Sequence, residues 1–538
     1  MLVETPVSFL EQIYTYRVPA DLADTAIVGS LVKIEFGHTV TRGLILRFVT
    51  DKESRKHKDL LAVIGDAGMI DKNHLAHFQK VRDRFGGNLW SLLNTYLPPI
   101  PAKPKRIIQV STSYVFKKII GQELQFVKKE DYAKIADDPS LKCAISPPAG
   151  VAKFKILVEL AKLRFNLGSV LILVSDFREF DYYKEHLADE FKSLFVALDT
   201  RADRNARYQS FLAANSGQQV VILANRSGAF TKLPSNSTVI VVNDNDPSHY
   251  EQRSPGWNTR DVTLLRPNGT SFIFLNSYHS LEINRLISIG WMERLTLAES
   301  NKCNIHNIDS ANSYISLIKR GIKTGNVLVS VAEKGYANVF LCSKCKNTAR
   351  CDCGGKLRIE KQNAAPACYL CTKIANHWRC DHCGNASPFV IGKGVDRTAE
   401  EIGKAAPGIK VMTSKRDQVA VLDPSQNQIV IATRGSEPFT LYSAVILLDC
   451  ERIYNQATLR AEEEAKHLWF DLLSRVKDGG DYYLSLPNNH PATQQVLRRQ
   501  IFNTDDLIAR EQSHLPPFYR TATIKGESSE LAKFAENL

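Results

Sequence analysis

Eight of the eleven cysteines of this chain lie in one short stretch, which restricts the possible folds more than any other feature. They form four close pairs: Cys342 with Cys345, Cys351 with Cys353, Cys368 with Cys371, and Cys380 with Cys383. Two thiolates separated by two residues can bind one tetrahedral Zn²⁺ ion, and a second pair completes its coordination. The four pairs therefore predict two closed sites, in which two Zn²⁺ ions are structural and hold no catalytic water.

The alternative use of these cysteines is a disulfide framework, which is typical of secreted proteins. The other three cysteines, Cys143, Cys303 and Cys450, are scattered, and the first residues lack the basic and apolar regions of a signal peptide. We therefore expect a reducing compartment and zinc. One pair is irregular, because an extended Cys351-Asp352-Cys353 would direct its two sulfurs to opposite faces. The glycines at 354 and 355 permit a turn that brings these sulfurs together.

The cysteine-rich stretch is also basic, which suits contact with a phosphate backbone or with an acidic protein face. The alternative is a solvated surface without a partner. The whole chain carries a net charge of +12, which independently favours a polyanionic partner. The stretch contains three acids (Asp352, Glu360, Asp381) and eight basic residues (Lys344, Lys346, Arg350, Lys356, Arg358, Lys361, Lys373, Arg379).

The length of 538 residues predicts about three or four domains, because single cores stop growing near 250–300 residues. No apolar run is long enough to span a membrane, so we expect no membrane association. Together with the missing signal peptide, this predicts a cytoplasmic protein, and the basic charge favours association with the nucleoid.

The first part of the chain predicts a small β-rich module followed by helix. Alternating β-branched and aromatic residues, broken by glycine and proline, are typical of short antiparallel strands up to about residue 65. Apolar residues recur at helical spacing from Asn73 to Leu97. From Lys103 to Lys129 the chain has seven basic residues against one Glu, which indicates a linker or the edge of a winged helix.

Beyond residue 142 the pattern changes to buried strands that alternate with helices. Apolar runs of this kind predict parallel sheets covered on both faces. They fall into two sets, one before and one on both sides of the cysteine-rich stretch, so we expect two nucleotide-binding or helicase-like lobes. The runs are 170–174, 220–223, 239–242 and 271–275 in the first set, and 327–329, 429–432, 444–448 and 482–486 in the second.

This order of parts resembles the PriA family of replication-restart DNA helicases over nearly the whole chain. The eight-cysteine insert inside the second lobe is the most specific common feature. The other stretches that carry the resemblance are Tyr14–Pro19, Val32–Gly37, Asp244–Tyr250, Val395–Glu401 and Pro516–Phe518. The resemblance implies that the first and last cysteine pairs share one zinc ion, and that the two middle pairs share the other.

The resemblance also implies a multidomain α/β fold with two RecA-like lobes. The expected parts are a β-rich domain that binds DNA 3′ ends (1–65), a winged-helix-like segment with a basic linker (66–130), a degenerate first helicase lobe (131–315), a degenerate second lobe (316–340 and 384–486) with a zinc-binding insert (341–383), and a shortened C-terminal domain (487–538).

In the family, an aromatic-Asp-Tyr triplet and a glycine of the N-terminal domain receive the terminal 3′ nucleotide of a DNA strand. The matching residues here are Tyr14, Thr15, Tyr16 and Gly37. Thr15 stands where the family has the Asp that accepts the 3′-hydroxyl proton, and Gly37 is the weakest match. The alternative is that both tyrosines are core residues of the module.

The phosphate-binding loop of the family corresponds to Pro147–Phe154, where the differences exceed the similarities. Such a loop needs glycines that free its N–H groups, a lysine for the phosphates, and a hydroxyl for Mg²⁺. Lys153 is retained. Pro147, however, has no N–H, Ala152 replaces a glycine, and Phe154 has no oxygen.

Two further motifs are degenerate. In the acidic box that begins at Asn243, an amide replaces the Asp that holds the metal, and Asp244 is retained. The arginine-rich last motif reads Ser474–Gly480. A single arginine finger is typically worth about 10³–10⁵ in rate. The three losses together predict no catalytic residue and no ATPase activity, and they leave Lys153 and Asp244 as a vestigial nucleotide site.

The sequence therefore predicts a protein that binds abandoned or stalled replication forks, promotes primosome assembly and reloads the replicative helicase, without helicase activity. The expected partners are forked and single-stranded DNA, the replicative helicase, other primosome components and single-strand DNA-binding protein. The first alternative is an active ATP-dependent helicase with a non-standard phosphate loop. The second is an adaptor that binds proteins through its zinc insert.

Overall fold

The N-terminal 64 residues form an antiparallel sheet in the computed structural model. The model describes the chain except residues 6–9, 51–56, 67, 102–128, 149, 268, 298–301, 308–313, 333–338, 346, 354, 359–364, 369–370, 377, 392–394, 417, 457, 503, 522–523, 525–526 and 538. The strands are β1 (Leu2–Val3), β2 (Leu31–Phe36), β3 (Thr39–Leu44) and β4 (Leu60–Ile64), in the order β1-β3-β2-β4. Alternate residues of β2 are buried, among them Val32 and Ile34, so the predicted β-rich module is confirmed.

Two helices, α1 (Lys72–Phe85) and α2 (Leu89–Tyr96), replace the single helical stretch that we predict over residues 73–97. The break falls at Gly86 and Gly87, which have φ angles of 77° and 81°, a region that favours glycine. Asn88 then caps α2, because its side chain accepts hydrogen bonds from the N–H groups of Trp90 and Ser91. Most of the predicted basic linker lies outside the described residues.

Helix α1 buries two histidines against the polypeptide that follows it. The Nε2 atoms of His74 and His77 donate hydrogen bonds to the carbonyls of Phe230 (2.5 Å) and Val262 (2.9 Å). Burial lowers the pKa of His74 to about 4 and that of His77 to about 3, so both are neutral near pH 7. The N-terminal sheet, both helices and most of the first lobe consequently belong to one unit (Met1–Pro147, Ala152–Asn276 and Leu295–Glu299).

The first lobe contains a seven-stranded sheet with the order β13-β5-β12-β9-β6-β8-β7. The strands from β5 to β7 in this order pair in parallel, so the predicted parallel sheet is confirmed. Its elements are α3 (Lys129–Asp137), β5 (Lys142–Ser146), α4 (Lys153–Phe165), β6 (Val170–Leu173), α5 (Phe177–Phe191), β7 (Phe195–Leu198), α6 (Arg204–Ala214), β8 (Val221–Ala224), β9 (Thr238–Val242), the hairpin β10 (Tyr250–Glu251) and β11 (Trp257–Asn258), α7 (Thr259–Leu264), β12 (Ser271–Leu275), α8 (Leu281–Ser288) and β13 (Glu293–Thr296).

The second lobe contains a six-stranded parallel sheet with the order β14-β23-β22-β15-β21-β20, interrupted by the cysteine-rich insert. Its elements and those of the insert are β14 (Asn304–Asn307), α9 (Tyr314–Gly321), β15 (Val327–Val331), the insert strands β16 (Val339–Cys342), β17 (Leu357–Arg358), β18 (Ala367–Cys368) and β19 (Pro388–Ile391), then α10 (Val395–Ala405), β20 (Val411–Ser414), β21 (Ile429–Thr433), β22 (Tyr442–Leu447), α11 (Cys450–Tyr454), α12 (Ala461–Ser474) and β23 (Val476–Leu484).

Three helices follow the second sheet: α13 (Pro491–Leu497), α14 (Thr504–Gln512) and α15 (Ser528–Glu536). The second unit of the chain comprises Pro148–Val151, Ser277–Arg294 and Ser300–Leu538. Residues 277–294, which include α8, group with this second unit, and the lobe boundary that we place at residue 315 stays a prediction. The fold class of two α/β lobes with a cysteine-rich insert in the second agrees with the prediction.

Candidate functional site

The first cysteine cluster consists of Cys342, Cys345, Cys380 and Cys383, the pairing that the family resemblance implies. The Sγ atoms of Cys342 and Cys383 lie 3.4 Å apart, and those of Cys345 and Cys380 lie 3.5 Å apart. Strands β16 and β19 pair antiparallel beside this cluster and bring the two ends of the insert together. Residues far apart in sequence are thereby fixed around one point.

The second cysteine cluster consists of Cys351, Cys353, Cys368 and Cys371. The Sγ atom of Cys353 lies 3.4 Å from that of Cys368 and 3.4 Å from that of Cys371. A tight turn resolves the irregular spacing, because the N–H of Cys351 donates to the carbonyl of Gly355 (2.8 Å). Cys353 therefore joins the cluster instead of pointing to the opposite face.

Both clusters have the dimensions of a closed four-thiolate metal site. A tetrahedral ion with Zn–S distances of about 2.3 Å separates its sulfurs by roughly 3.8 Å. The sulfur separations in this structure, between 3.4 and 3.7 Å, are close to this value, and the ligand atoms of each cluster lie within 4.8 Å of one another. Each cluster can therefore bind one metal ion.

Hydrogen bonds support the first cluster from outside. The Nδ2 atom of Asn385 donates to the Sγ atom of Cys342 (3.4 Å) and to the hydroxyl of Ser343 (2.8 Å). Although desolvation raises the pKa of Cys342, hydrogen bonds from backbone N–H groups and from Asn385 lower it to about 6. These hydrogen bonds favour the thiolate, which is the form that ligates a metal ion.

The basic residues around the clusters face solvent. Of the eight that we identify in the sequence, the side chains of Lys346, Arg358 and Lys361 lie outside the described residues. Lys373 forms an ion pair with Asp352 (2.5 Å), so it contributes little net charge to the surface. The remaining four exposed cations give the insert a positive face, and they are Lys344, Arg350, Lys356 and Arg379.

The structure places Tyr14 and Tyr16 against the core of the N-terminal module. The hydroxyl of Tyr14 donates to the carbonyl of Leu10 (3.0 Å), and its ring packs edge-on against Phe36 with centroids 4.9 Å apart. The hydroxyl of Tyr16 donates to the carbonyl of Glu35 (2.9 Å). Both side chains are half-buried, so each ring has a packed part and a part that faces solvent.

Thr15 and Gly37 are exposed on the same module. Gly37 begins the two-residue turn between β2 and β3 and has a φ of 62°. The ammonium of Lys58 donates to the carbonyl of Gly37 and to the carboxylate of Glu35, both at 2.9 Å. The sequence did not identify Lys58 or Glu35, because Lys58 meets Gly37 and Glu35 only through the folding of the sheet.

The two residues that we predict as a vestigial nucleotide site, Lys153 and Asp244, form hydrogen bonds with neighbouring side chains. The Nζ atom of Lys153, at the start of α4, donates to the Oδ1 atom of Asn243 (2.5 Å). The Nδ2 atom of Asn243 donates in turn to the carboxylate of Glu179 (2.8 Å). Asp244 is buried and accepts a hydrogen bond from Asn276 (2.9 Å). Both residues that we identify from the sequence therefore have protein partners.

Glu179 is the buried acid of this network, and nothing in its sequence context indicates the role. Its Oε2 atom accepts hydrogen bonds from the hydroxyl (3.0 Å) and the N–H (3.2 Å) of Ser175. Burial raises the pKa of Glu179 to about 7, although Lys153 opposes the shift. At the Mg²⁺-ligand position, Phe154 packs against His186 with ring centroids 4.5 Å apart.

The residues that we match to the last helicase motif, 474–480, lie at the end of a helix and in the strand that follows it. Helix α12 ends at Ser474, and β23 begins at Val476. The guanidinium of Arg475 between them forms an ion pair with Asp471 (2.7 Å) and lies over the ring of Phe439. This arginine is held by its own unit.

Among the residues that the structure describes, no helix is long and apolar enough to cross a membrane.

Comparisons with known proteins agree with the residue pattern. A sequence model of the 3′ DNA-binding domain of PriA matches residues 1–98, so the similarity continues through α1 and α2, beyond the predicted boundary at residue 65. The probable replication restart protein PriA of Mycobacterium tuberculosis (strain CDC 1551 / Oshkosh) is 25% identical over 98% of this chain and 87% of that protein. The replication restart protein PriA of Rickettsia conorii (strain ATCC VR-613 / Malish 7) is 22% identical over 97% of this chain and 86% of that protein.

Proposed function

We propose that this chain, as a member of the PriA family of replication restart proteins, binds abandoned replication forks and promotes restart without hydrolysing ATP. The observation that carries the proposal is the match of residues 1–98 to a 3′ DNA-binding domain. Phosphate contacts would position the protein without reading sequence.

The N-terminal module supplies suitable groups for such an end. The solvent-facing parts of Tyr14 and Tyr16 offer surfaces on which a terminal base can stack. Gly37 permits close approach of a nucleotide, since it lies at an exposed turn and has no side chain. Lys58, which bonds the carbonyl of Gly37, provides a cation for the phosphate next to the terminal sugar. Thr15 retains a hydroxyl, so it can bond a 3′-hydroxyl in place of the carboxylate of the family.

Zn²⁺ is the metal that the two clusters fit best, with one ion in each cluster. Four thiolates with tetrahedral dimensions and no open position are typical of structural zinc sites. Bound zinc would supply folding free energy to an insert whose strands are only two to four residues long. The protein's own contribution is to hold the eight sulfurs in place, and the exposed cations around them would extend the DNA-binding surface.

The absence of ATPase activity is the part of the proposal that departs from the family. Lys153 is bonded to the amide of Asn243 and not to a metal-binding carboxylate, and Phe154, which packs with His186, has no oxygen for Mg²⁺. The family's other role, assembly of the primosome, would remain open to such a chain. Its proposed protein partners are the replicative helicase and single-strand DNA-binding protein.

A binding experiment tests the proposal. Affinity is measured for a fork with a recessed 3′-hydroxyl end, the same fork with a 3′-phosphate, and a blunt duplex, each with and without ATP and Mg²⁺. We expect at least about tenfold preference for the 3′-hydroxyl fork and no effect of ATP. Equal affinity for all three DNAs would contradict end recognition, and a shift with ATP would favour the active helicase.

A further inference from the structure

The two cysteine clusters differ in how far solvent reaches their sulfurs. In the first cluster, Cys342 and Cys380 are buried and no member is exposed. In the second cluster, Cys353 and Cys371 are exposed and only Cys368 is buried. A small oxidant therefore meets two exposed cysteines in the second cluster, whereas the cysteines of the first cluster are buried or half-exposed.

We propose that Cys353 and Cys371 form an oxidation site, at which hydrogen peroxide joins the two sulfurs in a disulfide and releases the metal of the second cluster alone. The inference rests on the proposed zinc occupancy, and it adds a modification that the proposed function does not require. The first cluster would keep its ion, so the insert would lose one of its two metal ions. The part of the insert around the first cluster would stay folded.

The geometry brings these two sulfurs together in preference to others. The Sγ atoms of Cys353 and Cys371 lie 3.4 Å apart, and both belong to exposed turns. A disulfide bond is about 2.05 Å long, so the two sulfurs must approach by little more than 1 Å. Cys368 is as near to Cys353, but it is fixed in a small apolar core with Ala349 and Leu357.

The strands and hydrogen bonds around the two clusters also favour oxidation of the second cluster. The first cluster lies beside a ladder of four residue pairs between β16 and β19 and receives the Asn385 amide. The second cluster lies beside β17 and β18, which contribute only two residue pairs. The shorter strand ladder gives the part of the insert around the second cluster less sheet structure, so we expect its exposed turns to move toward each other at lower cost.

The proposed oxidation balances in two steps. One thiolate attacks an oxygen of hydrogen peroxide, the O–O bond breaks, and hydroxide leaves, which produces a sulfenic acid. The second thiolate then attacks this sulfur and displaces another hydroxide, which forms the S–S bond. The two sulfurs lose two electrons, and peroxide gains them. Only Cys351 and Cys368 would remain as ligands, too few for the closed tetrahedral site, and the ion leaves.

Zinc release from the full-length protein tests this inference. The zinc content is first measured, and peroxide is then added with a chromogenic zinc chelator. We expect one of two equivalents to leave at least about tenfold faster than the other. Peptide mapping after alkylation should find Cys353 joined to Cys371 at that stage, and a thiol reductant with added zinc should restore two equivalents.

Matched variants distinguish the loss of a sulfur that forms the disulfide from the loss of a metal ligand. Cys353→His retains a zinc ligand but cannot form the disulfide, so fast release should be lost while two ions remain bound. Cys345→His makes the same exchange in the first cluster and should leave fast release intact. A protein with two zinc ions that releases both at one rate, or that pairs other cysteines first, would overturn the inference. Fewer than two ions before peroxide would instead contradict the zinc assignment, and the disulfide map would still decide which pair is oxidised.

Discussion

The ammonium group of Lys153 lies 2.5 Å from the side-chain oxygen of Asn243. In the helicases that this chain resembles, these two positions hold a phosphate-binding lysine and a metal-binding aspartate. Here an amide has replaced the carboxylate, and it connects the lysine to the buried Glu179. An amide is a neutral, weak ligand for Mg²⁺, whose protein ligands are mainly carboxylates. The lysine therefore has a protein partner at the position where the family binds a nucleotide.

The first prediction is that the chain has no ATPase activity, with or without DNA. Lys153→Ala should change neither fork affinity nor restart in cells, because no nucleotide depends on this ammonium. Turnover is measured by phosphate release over a range of fork concentrations. Lys155→Ala, two residues along the same helix, serves as the control. Turnover above background that disappears only in the Lys153→Ala protein would restore the active helicase.

The second prediction concerns pH and the buried Glu179. Burial raises its pKa from an ordinary 4.5 to about 7. Below pH 4.5 the carboxyl of Glu179 is protonated in both the folded and the unfolded chain. Between pH 4.5 and 7 this carboxyl ionises only in the unfolded chain. The free energy of unfolding therefore falls by on the order of 3 kcal/mol as the pH rises from 4.5 to 7.

Chemical denaturation at a series of pH values checks this prediction. The stability of Glu179→Gln relative to the wild type should increase from pH 4.5 to pH 7 and stay constant outside that range. Glu185→Gln, on the exposed face of the same helix, serves as the matched control. A constant difference for Glu179→Gln across the whole range would mean that its carboxyl titrates normally.

The sequence was most informative where chemistry fixes spacing. Four close cysteine pairs leave few arrangements, and the pairing implied by the family places Cys342 with Cys383 as the structure does. Apolar β-branched runs such as 239–242 likewise predict buried parallel strands. The break between α1 and α2 was missed, because apolar periodicity continues across Gly86 and Gly87, although two consecutive glycines rarely continue a helix.

The closed network around Lys153 could not be predicted in the same way. Glu179 lies in a helix whose other acids are exposed, and nothing in its neighbourhood marks it as buried. Its contact with Asn243 joins residues 64 positions apart. Lys58 is similar, because it meets Gly37 only when β4 pairs with β2. Such contacts depend on tertiary packing, which sequence periodicity does not encode.

The third prediction is that the purified chain contains two zinc ions. Cys353→Ser should reduce the content to one, because a hydroxyl is a poor replacement for a thiolate ligand. Cys143→Ala, which removes a buried thiol of β5 far from both clusters in sequence, should keep two. Elemental analysis of both proteins gives the counts. Two ions in Cys353→Ser would show that the second cluster needs only three sulfurs.

The fourth prediction is that fork binding weakens linearly when log K is plotted against log salt concentration. Each phosphate contact contributes about −0.9 to the slope. Lys344→Ala combined with Lys356→Ala should reduce the magnitude of the slope by about 2, since both side chains are exposed on the insert. Fluorescence anisotropy over a salt series measures it. The same change at Lys404 and Lys533, exposed on α10 and α15, should leave the slope unaltered.

The fifth prediction separates the two parts of Tyr16 at the proposed 3′-end site. Its ring is half-buried, and its hydroxyl bonds the carbonyl of Glu35. Tyr16→Ala removes a stacking surface typically worth about 1–3 kcal/mol per base, so we expect preference for a 3′-hydroxyl fork to fall by roughly five- to 150-fold. Tyr16→Phe keeps the ring and loses only one hydrogen bond at the surface.

Competition between 3′-hydroxyl and 3′-phosphate forks measures this preference, and thermal unfolding of both variants tests the fold. If the ring stacks on a base, Tyr16→Phe retains most of the preference and Tyr16→Ala does not. If Tyr16 only supports the module, both variants keep the preference, or Tyr16→Ala loses it together with stability. An unfolding temperature close to that of the wild type in Tyr16→Ala, with the preference gone, would therefore assign the ring to the DNA end.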